Sequence, residues 1–338
     1  MSSSLASSYG EVSRLIQSVE GIDKYSTLST SIIPTLISCV DQIGKALRSA
    51  HQVSLVGTAN AFGDDQLNVD VIAEDIIRIE AAKCSSIATI SSEEDPVEKT
   101  VEHNAEDLYT LAFDPLDGSS IIAPNWTVGT VIGIWTGSTA LHQAPSQQIA
   151  AVLGVYGPRT TAIIAIRPPG CNGICFEIGL KDTDGNASCE IIRDRVTLAM
   201  PPFKTRYFAP ANLRAAAEDE AYMSLVNHYI KEKYTLRYSG GLVPDVLHIL
   251  VKRHGIYVSP VTKVSKAKLR SLYELAPIAL IVECAGGEAI DPATGTAILQ
   301  TVIQDCDQRA GLVCGTASEI EIVEKFLGLQ RARHLERS

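Results

Sequence analysis

The 338-residue sequence predicts an α/β protein made of two packed αβ layers. Three observations carry this expectation. Apolar residues fall at helical spacing between Ser31 and His51. Runs of strand length, rich in Val, Ile and Thr, crowd residues 128–167. Beyond Pro201-Pro202, helical stretches alternate with short apolar strands. The first layer is expected to end near residue 200. The chain then divides into a mobile N-terminal segment (1–29), an N-terminal half (30–200) and a C-terminal half (201–330).

Each element has a local reason. Met1–Ser8 is Ser-rich and lacks an apolar signal core. From Ser31 to His51, Ile32, Ile33, Leu36, Ile37, Val40, Ile43 and Leu47 share one side, and Pro34 suits a first turn. Val53–Val56 reads as a short strand and Gln66–Cys84 as a helix. Ile87–Ile90 and Leu108–Phe113 are short apolar strands. Strands are expected at Val128–Trp135, Ile149–Tyr156 and Thr161–Arg167, and a Gly/Asp-punctuated hairpin at Gly170–Ala187. Helices near 212–233 and 243–254 then alternate with strands at Ile256–Val258, Ala289–Ile290 and Leu312–Cys314.

Composition narrows the function classes. Hydrophobic residues at 46% with charged residues at 20% describe a globular chain. Lys+Arg 29 against Asp+Glu 39 gives −10, which argues against nonspecific nucleic-acid binding. No apolar run is long enough to span a bilayer, so no membrane partner is expected. The eight cysteines show no paired CxxC spacing and so suggest no structural zinc. Cys171 and Cys175 flank a turn-like stretch that could let two thiols meet, but a loop or edge strand with free thiols is favoured. A cytoplasmic location is expected, with a plastid location as the alternative if a transit peptide has been removed.

The chemistry concentrates in Phe113-Asp114-Pro115-Leu116-Asp117-Gly118-Ser119-Ser120. Two carboxylates stand three residues apart on a Pro-Leu turn, followed by small residues whose N–H groups can approach an anion. Carboxylates suit a hard cation such as Mg²⁺, which commonly shares its oxygen ligands with a substrate phosphate. The same run is also ordinary turn chemistry, and alone it would more often be only that. Its place after an apolar strand favours a site, because ligands of layered α/β proteins gather at strand C-termini. Further acids lie at Glu93, Glu94 and Asp95 after Ile87–Ile90, in the 60–70 stretch that holds Asp64, Asp65 and Asp70, and at Glu274 within an apolar helical run. Acidic clusters are usually solvated faces. Crowded carboxylates repel one another unless a cation lies between them.

Taken together, FDPLDGSS, the upstream Ser92-Glu93-Glu94-Asp95 and the downstream Lys268-Leu269-Arg270-Ser271-Leu272-Tyr273-Glu274 resemble the fructose-1,6-bisphosphatase superfamily of Mg²⁺-dependent sugar phosphatases. The stretches Gly57–Asp64, Tyr156–Thr161 and Lys231–Asp245 are similar to its sedoheptulose-1,7-bisphosphatase branch. The likeness covers roughly residues 30 to 325. It implies a layered α-β-α-β-α fold with the active site between two αβ halves. It also implies hydrolysis of a small-molecule sugar bisphosphate, two or three Mg²⁺ ions with Mn²⁺ as a substitute, and a homodimer or homotetramer.

Residue by residue, the resemblance implies metal ligation by Glu93, Asp114, Asp117 and Glu274, with Leu116 giving its carbonyl oxygen. Asp70 and Glu94 match carboxylates that bind metal or take the proton of the attacking water. Asp64 matches an aspartate of a mobile loop. The scissile phosphate is expected on Asp117, Gly118 and Ser119. The rest of the substrate is expected on Asn212, Arg237, Tyr238 and Lys268, with Arg237 reaching across a subunit interface; outside the motif, Arg237 would read as an exposed salt-bridge partner. Ala215 and Val258 stand where the six-carbon enzymes carry tyrosines, so a wider pocket for a seven-carbon sugar is expected. Ala123 replaces an aspartate usual in close relatives, and Leu108 replaces a basic residue of the family's AMP site.

Overall fold

A computed structural model describes residues 9–59, 65–183 and 186–329. Within them the strands form an eight-stranded sheet, a five-stranded sheet and two two-stranded ribbons. The larger sheet runs Asn186–Arg193, Ile174–Thr183, Thr160–Ile166, Gln148–Tyr156, Val128–Thr136, Tyr109–Asp117, Ile87–Ser92 and Lys99–Thr100 in spatial order. Its pairs are antiparallel except Ile87–Ser92 beside Tyr109–Asp117. The smaller sheet runs Thr235–Leu236, Tyr207–Pro210, Ile256–Ser259, Leu312–Gly315 and Glu288–Ile290.

Alternation along the strands decides the layering, because successive side chains leave opposite faces. Leu111, Phe113 and Ile132 of the large sheet pack against Ile33, Leu36 and Val40 of the Ile33–Ser49 helix and Ala73 and Ile77 of the Asn68–Ala81 helix. From its other face Val131, Leu153 and Ile163 meet Val243 and Val246 of Leu242–Lys252 and Ile278–Val282 of Ala276–Cys284. Tyr257, Leu312 and Cys314 of the small sheet close over those same two helices. Ile256, Val258 and Val313 face the far side, against Tyr222 and Leu225 of Glu220–Lys231 and Ile320 and Val323 of Ala317–Leu327. The order is therefore helix, sheet, helix, sheet, helix, as the resemblance implied.

Some expectations need correction. Residues 9–29 were expected within a mobile segment, yet the Gly10–Gln17 helix is packed, with Tyr9, Val12, Ile16 and Val19 buried. Their three- and four-residue spacing is an amphipathic stripe that the Ser-rich start masks. The helix expected over Gln66–Cys84 runs Asn68–Ala81, because the Asp70 carboxylate accepts the Leu67 N–H at 2.9 Å and fixes its first turn. The expected Pro-Leu turn is strand. Tyr109–Asp117 runs through both aspartates with an irregular register between Asp114 and Asp117. A bulge tolerates Pro115, which has no N–H to donate, and Thr130 Oγ1 donates to the Pro115 carbonyl at 2.8 Å. Asp64 lies outside the described residues.

Candidate active site

The strand alternation that buries Leu111 and Phe113 among the outer helices turns Ala112 and Asp114 to the opposite face, toward Leu272 and Tyr273. Glu274 reaches that face on the single turn Ser271–Leu275, just ahead of the apolar helix Ala276–Cys284. Glu93 arrives directly after Ile87–Ser92, where its N–H donates to the Phe113 carbonyl at 3.0 Å. One oxygen from each of Glu93, Asp114 and Glu274 lies within 4.8 Å of the others.

These acids are held under electrostatic load. Asp114 and Glu274 are each only 7% exposed. Burial pushes both carboxyls well above their ordinary range, and the nearby charges of Glu93 and Asp117 push them further. Backbone donors fix their orientation. Leu116 N–H donates to Asp114 Oδ1 at 2.9 Å, and Arg270 N–H donates to Glu274 Oε2 at 2.6 Å. The buried Arg270 guanidinium pairs with Glu93. An all-oxygen set with two buried, mutually repelling acids fits a hard divalent cation and lacks the nitrogen and sulfur ligands that favour zinc.

Asp117 stands beside this trio but is held differently. Its Oδ2 accepts the Val243 N–H at 2.7 Å and its Oδ1 the Leu242 N–H at 3.2 Å, so it sits at the start of the Leu242–Lys252 helix. Burial still lifts its pKa to about 6 against those two hydrogen bonds. A carboxylate has further lone pairs, so both amides and a cation can share it. Gly118 follows with φ +101°, where a Cβ would also crowd Val128 and Ile121. Ser119, itself exposed, then opens a single turn, Ser119–Ile122.

A second acidic group lies on the Asn68–Ala81 helix. Asp70 is 4% exposed, and burial, with the Glu94 charge behind it, raises its pKa to about 6. Burial also raises Glu74, whose Oε1 accepts from Ser92 Oγ at 2.7 Å and from Arg78. Glu74 and Arg78 escaped the sequence reading, and Arg270 entered it only as part of a motif, with no role assigned. Glu74 had a signal: an acid four residues after Asp70, on the stripe of Ala73 and Ile77.

Of the residues expected around the rest of the substrate, Tyr238 lies within electrostatic reach of Asp117. Asn212 adopts φ +52°, and its backbone N–H meets the Tyr238 hydroxyl. Arg237 is exposed, donates to its neighbour's Leu236 carbonyl at 2.7 Å and makes no ion pair among the described residues. Ser239 N–H donates to Asp245 Oδ1 at 2.8 Å, tying this loop to the helix that Asp117 caps. Lys268 is exposed, and among the described residues no hydrogen bond or ion pair ties it to Arg237 or Tyr238. Ala215 and Val258 do not widen an opening. They are 0% and 1% exposed, inside the cluster of Phe208, Tyr222 and Tyr229. The pocket expectation built on them fails because even-numbered positions of Ile256–Ser259 face the outer helices, whereas Tyr257 faces inward.

Residues 13–181 match the family model of the fructose-1-6-bisphosphatase N-terminal domain, and residues 201–328 that of its C-terminal domain. A chloroplastic sedoheptulose-1,7-bisphosphatase of Triticum aestivum is 38% identical over 299 residues, spanning 86% of this chain and 73% of its own. A class 1 fructose-1,6-bisphosphatase of Geobacter sulfurreducens is 34% identical, spanning 82% and 84%. Among solved structures, a Toxoplasma gondii protein provisionally assigned as a sedoheptulose-1,7 bisphosphatase superposes with a TM-score of 0.83 at 35% identity, over 94% of this chain and 98% of that one. The holo form of Leishmania major fructose-1,6-bisphosphatase gives 0.77 at 26%, over 93% and 97%. The chain belongs to the fructose-1,6-bisphosphatase family, whose members are sugar bisphosphatases, that is, phosphoric monoester hydrolases. No helix among the described residues is long and apolar enough to cross a membrane.

Proposed function

We propose that this enzyme removes the 1-phosphate of sedoheptulose 1,7-bisphosphate in a Mg²⁺-dependent hydrolysis that yields sedoheptulose 7-phosphate and phosphate. The convergence of Glu93, Asp114 and Glu274 within 4.8 Å carries the metal-dependent part. The seven-carbon sugar rests on the greater likeness to sedoheptulose bisphosphatases, 37–38% against 32–34% for the class 1 fructose enzymes. Those same fructose enzymes support a second reading, a fructose-1,6-bisphosphatase or an enzyme that takes both sugars. A catalytically inactive sugar-phosphate binder fits poorly, because buried repelling acids serve no purpose there.

In this reading Glu93, Asp114, Asp117, Glu274 and the Leu116 carbonyl would hold two or three Mg²⁺ ions. Bound metal would neutralise phosphoryl charge, acidify water and ease departure of the alkoxide. The chain's own groups do the rest. Gly118 and Ser119 present backbone and hydroxyl donors to the scissile phosphate. Asp70, whose pKa burial lifts to about 6, and Glu94 accept the proton of the attacking water. The family resemblance assigns Asp64 to the same set. Asn212, Arg237, Tyr238 and Lys268 hold the remote phosphate and the sugar, Arg237 being suited to a bidentate grip. Arg237 is exposed and makes no ion pair among the described residues, which leaves it available to a neighbouring subunit, in keeping with a homodimer or homotetramer.

Phosphate release from both bisphosphates, with and without Mg²⁺, tests the reading. The expected result is Mg²⁺-dependent release that is faster from the seven-carbon substrate. Release without any divalent metal would overturn it. Light scattering is expected to find at least a dimer, and a fully active monomer would remove the intersubunit role of Arg237.

A further inference from the structure

On the far side of the turn that carries Glu274 lies a cavity of about 130 Å³. It is distinct from the carboxylate site: Trp135, Gln148, Ser271, Ile298 and Gln308 are among the residues that enclose it. Its volume is roughly ten times the smallest void that holds one water. Gln148 is 2% exposed, and among the described residues neither its amide nitrogen nor its amide oxygen has a hydrogen-bond partner. A buried amide left this way carries a desolvation cost that no hydrogen bond offsets.

The strand geometry explains how Gln148 comes to point there. Gln148 and Trp135 are cross-strand partners, and the register slips between Ile134 and Trp135. Such bulges re-aim side chains. Here the bulge accompanies a carboxamide and a flat indole that line one cavity. The cavity offers little to an anion. Its guanidinium, Arg309, is already paired with Asp307 at 2.8 Å, and Asp291 adds a negative charge.

We propose that this cavity binds a small, neutral, planar molecule with a cis-amide edge, a lactam or an aryl carboxamide, which pairs with Gln148 while its ring lies against Trp135. Occupancy acts on the carboxylate site through the wall they share. Ser271 lines the cavity and begins the turn that ends just past Glu274. Gln308 donates to Ser271 Oγ at 3.5 Å, and the adjacent Arg309 pairs in register with Arg270, the partner of Glu93. Only this coupling rests on the proposed metal site; the binding itself does not.

The full chain contains two tryptophans, and Trp126 is 53% exposed, so Trp126→Phe leaves Trp135 as the sole indole reporter. In that background, without metal or substrate, uracil and nicotinamide are expected to change the Trp135 emission saturably, and benzoate is not. Gln148→Met is expected to weaken binding about tenfold. Thr301→Phe, which plugs the cavity from an exposed position, is expected to weaken it as well and serves if the first variant does not fold. No response to either probe at about 10 mM, as when waters alone satisfy Gln148, or equal binding by the variants, overturns the site. Saturating uracil is further expected to shift the Mg²⁺ concentration for half-maximal thermal stabilisation by about fivefold or more. Binding without that shift overturns the coupling. Binding with no Mg²⁺ stabilisation at all counts against the metal-site reading instead.

Discussion

Asp117 accepts the Val243 N–H at 2.7 Å, and this bond joins the last residue of a strand in the large sheet to the first turn of the helix beneath the small one. The contact bridges the two halves of the chain at the point where the substrate is proposed to lie. A carboxylate at a helix start is stabilised by the exposed amides and the positive end of the helix dipole. Its burial works the other way and raises its pKa to about 6. Two substitutions separate these effects in metal-free protein. Asp117→Asn keeps one acceptor for Val243 and sheds the buried charge, whereas Asp117→Ala removes the acceptor as well. The alanine variant is expected to be less stable than the asparagine variant by about 1–2 kcal/mol in urea denaturation. Equal midpoints and slopes would show that the cap contributes nothing.

For the metal site the sign of the effect is diagnostic. Glu274 is raised by burial and by Glu93, so without a cation its charge opposes folding. Glu274→Gln retains an acceptor for the Arg270 N–H and removes that charge. Metal-free, the variant should melt at the parent temperature or above. With Mg²⁺ at a hundredfold excess over its Kd, the parent should gain about 2.7 kcal/mol and the variant much less. Calorimetry with and without Mg²⁺ decides the matter, and an equal gain in both proteins would remove Glu274 from the metal site.

Much of this arrangement could be read from the chain, and the physics says why. Long-period apolar patterns gave the two helices that cover the large sheet, and β-branched runs gave Val128–Thr136, Gln148–Tyr156 and Thr160–Ile166 nearly to the residue. Acids placed directly after apolar strands pointed to Glu93 and Asp114. Partners chosen by tertiary packing were not legible. Arg270 meets Glu93 from 177 residues away, and the helix that receives Asp117 is 125 residues downstream. Pro115 inside a strand also escaped, because a bulge and the Thr130 hydroxyl override the turn preference of Asp-Pro.

Asp245 gives a pH dependence. Its Oδ1 accepts from Ser239, its Oδ2 is buried without a partner among the described residues, and burial raises its pKa from 3.8 to about 6. A carboxyl with a raised folded pKa binds its proton more tightly in the folded state. Its contribution is therefore most favourable below the unfolded value and declines as pH rises through about 6. Asp245→Asn removes that dependence while Ser239 keeps an acceptor. Relative to parent, the variant should gain about 1–3 kcal/mol between pH 4 and pH 8. Urea denaturation at the two pH values measures the difference, and a constant offset would contradict the assignment.

The last prediction concerns the sugar. Val258 is 1% exposed among Phe208, Tyr222 and Tyr229, so Val258→Tyr forces a ring into a filled interior. It should cost about 1–3 kcal/mol in stability and leave the ratio of seven- to six-carbon activity unchanged in the folded fraction. Tyr257, its neighbour on the other face, is 4% exposed and lies within electrostatic reach of Asp245, Tyr238 and Asp117. Tyr257→Phe deletes one hydroxyl on the side where the sugar is proposed to bind, without changing the packing volume appreciably. The kcat/KM ratio for the two bisphosphates should move by about threefold or more in Tyr257→Phe and stay fixed in Val258→Tyr. The opposite pattern would return Val258 to the pocket wall and remove Tyr257 from it.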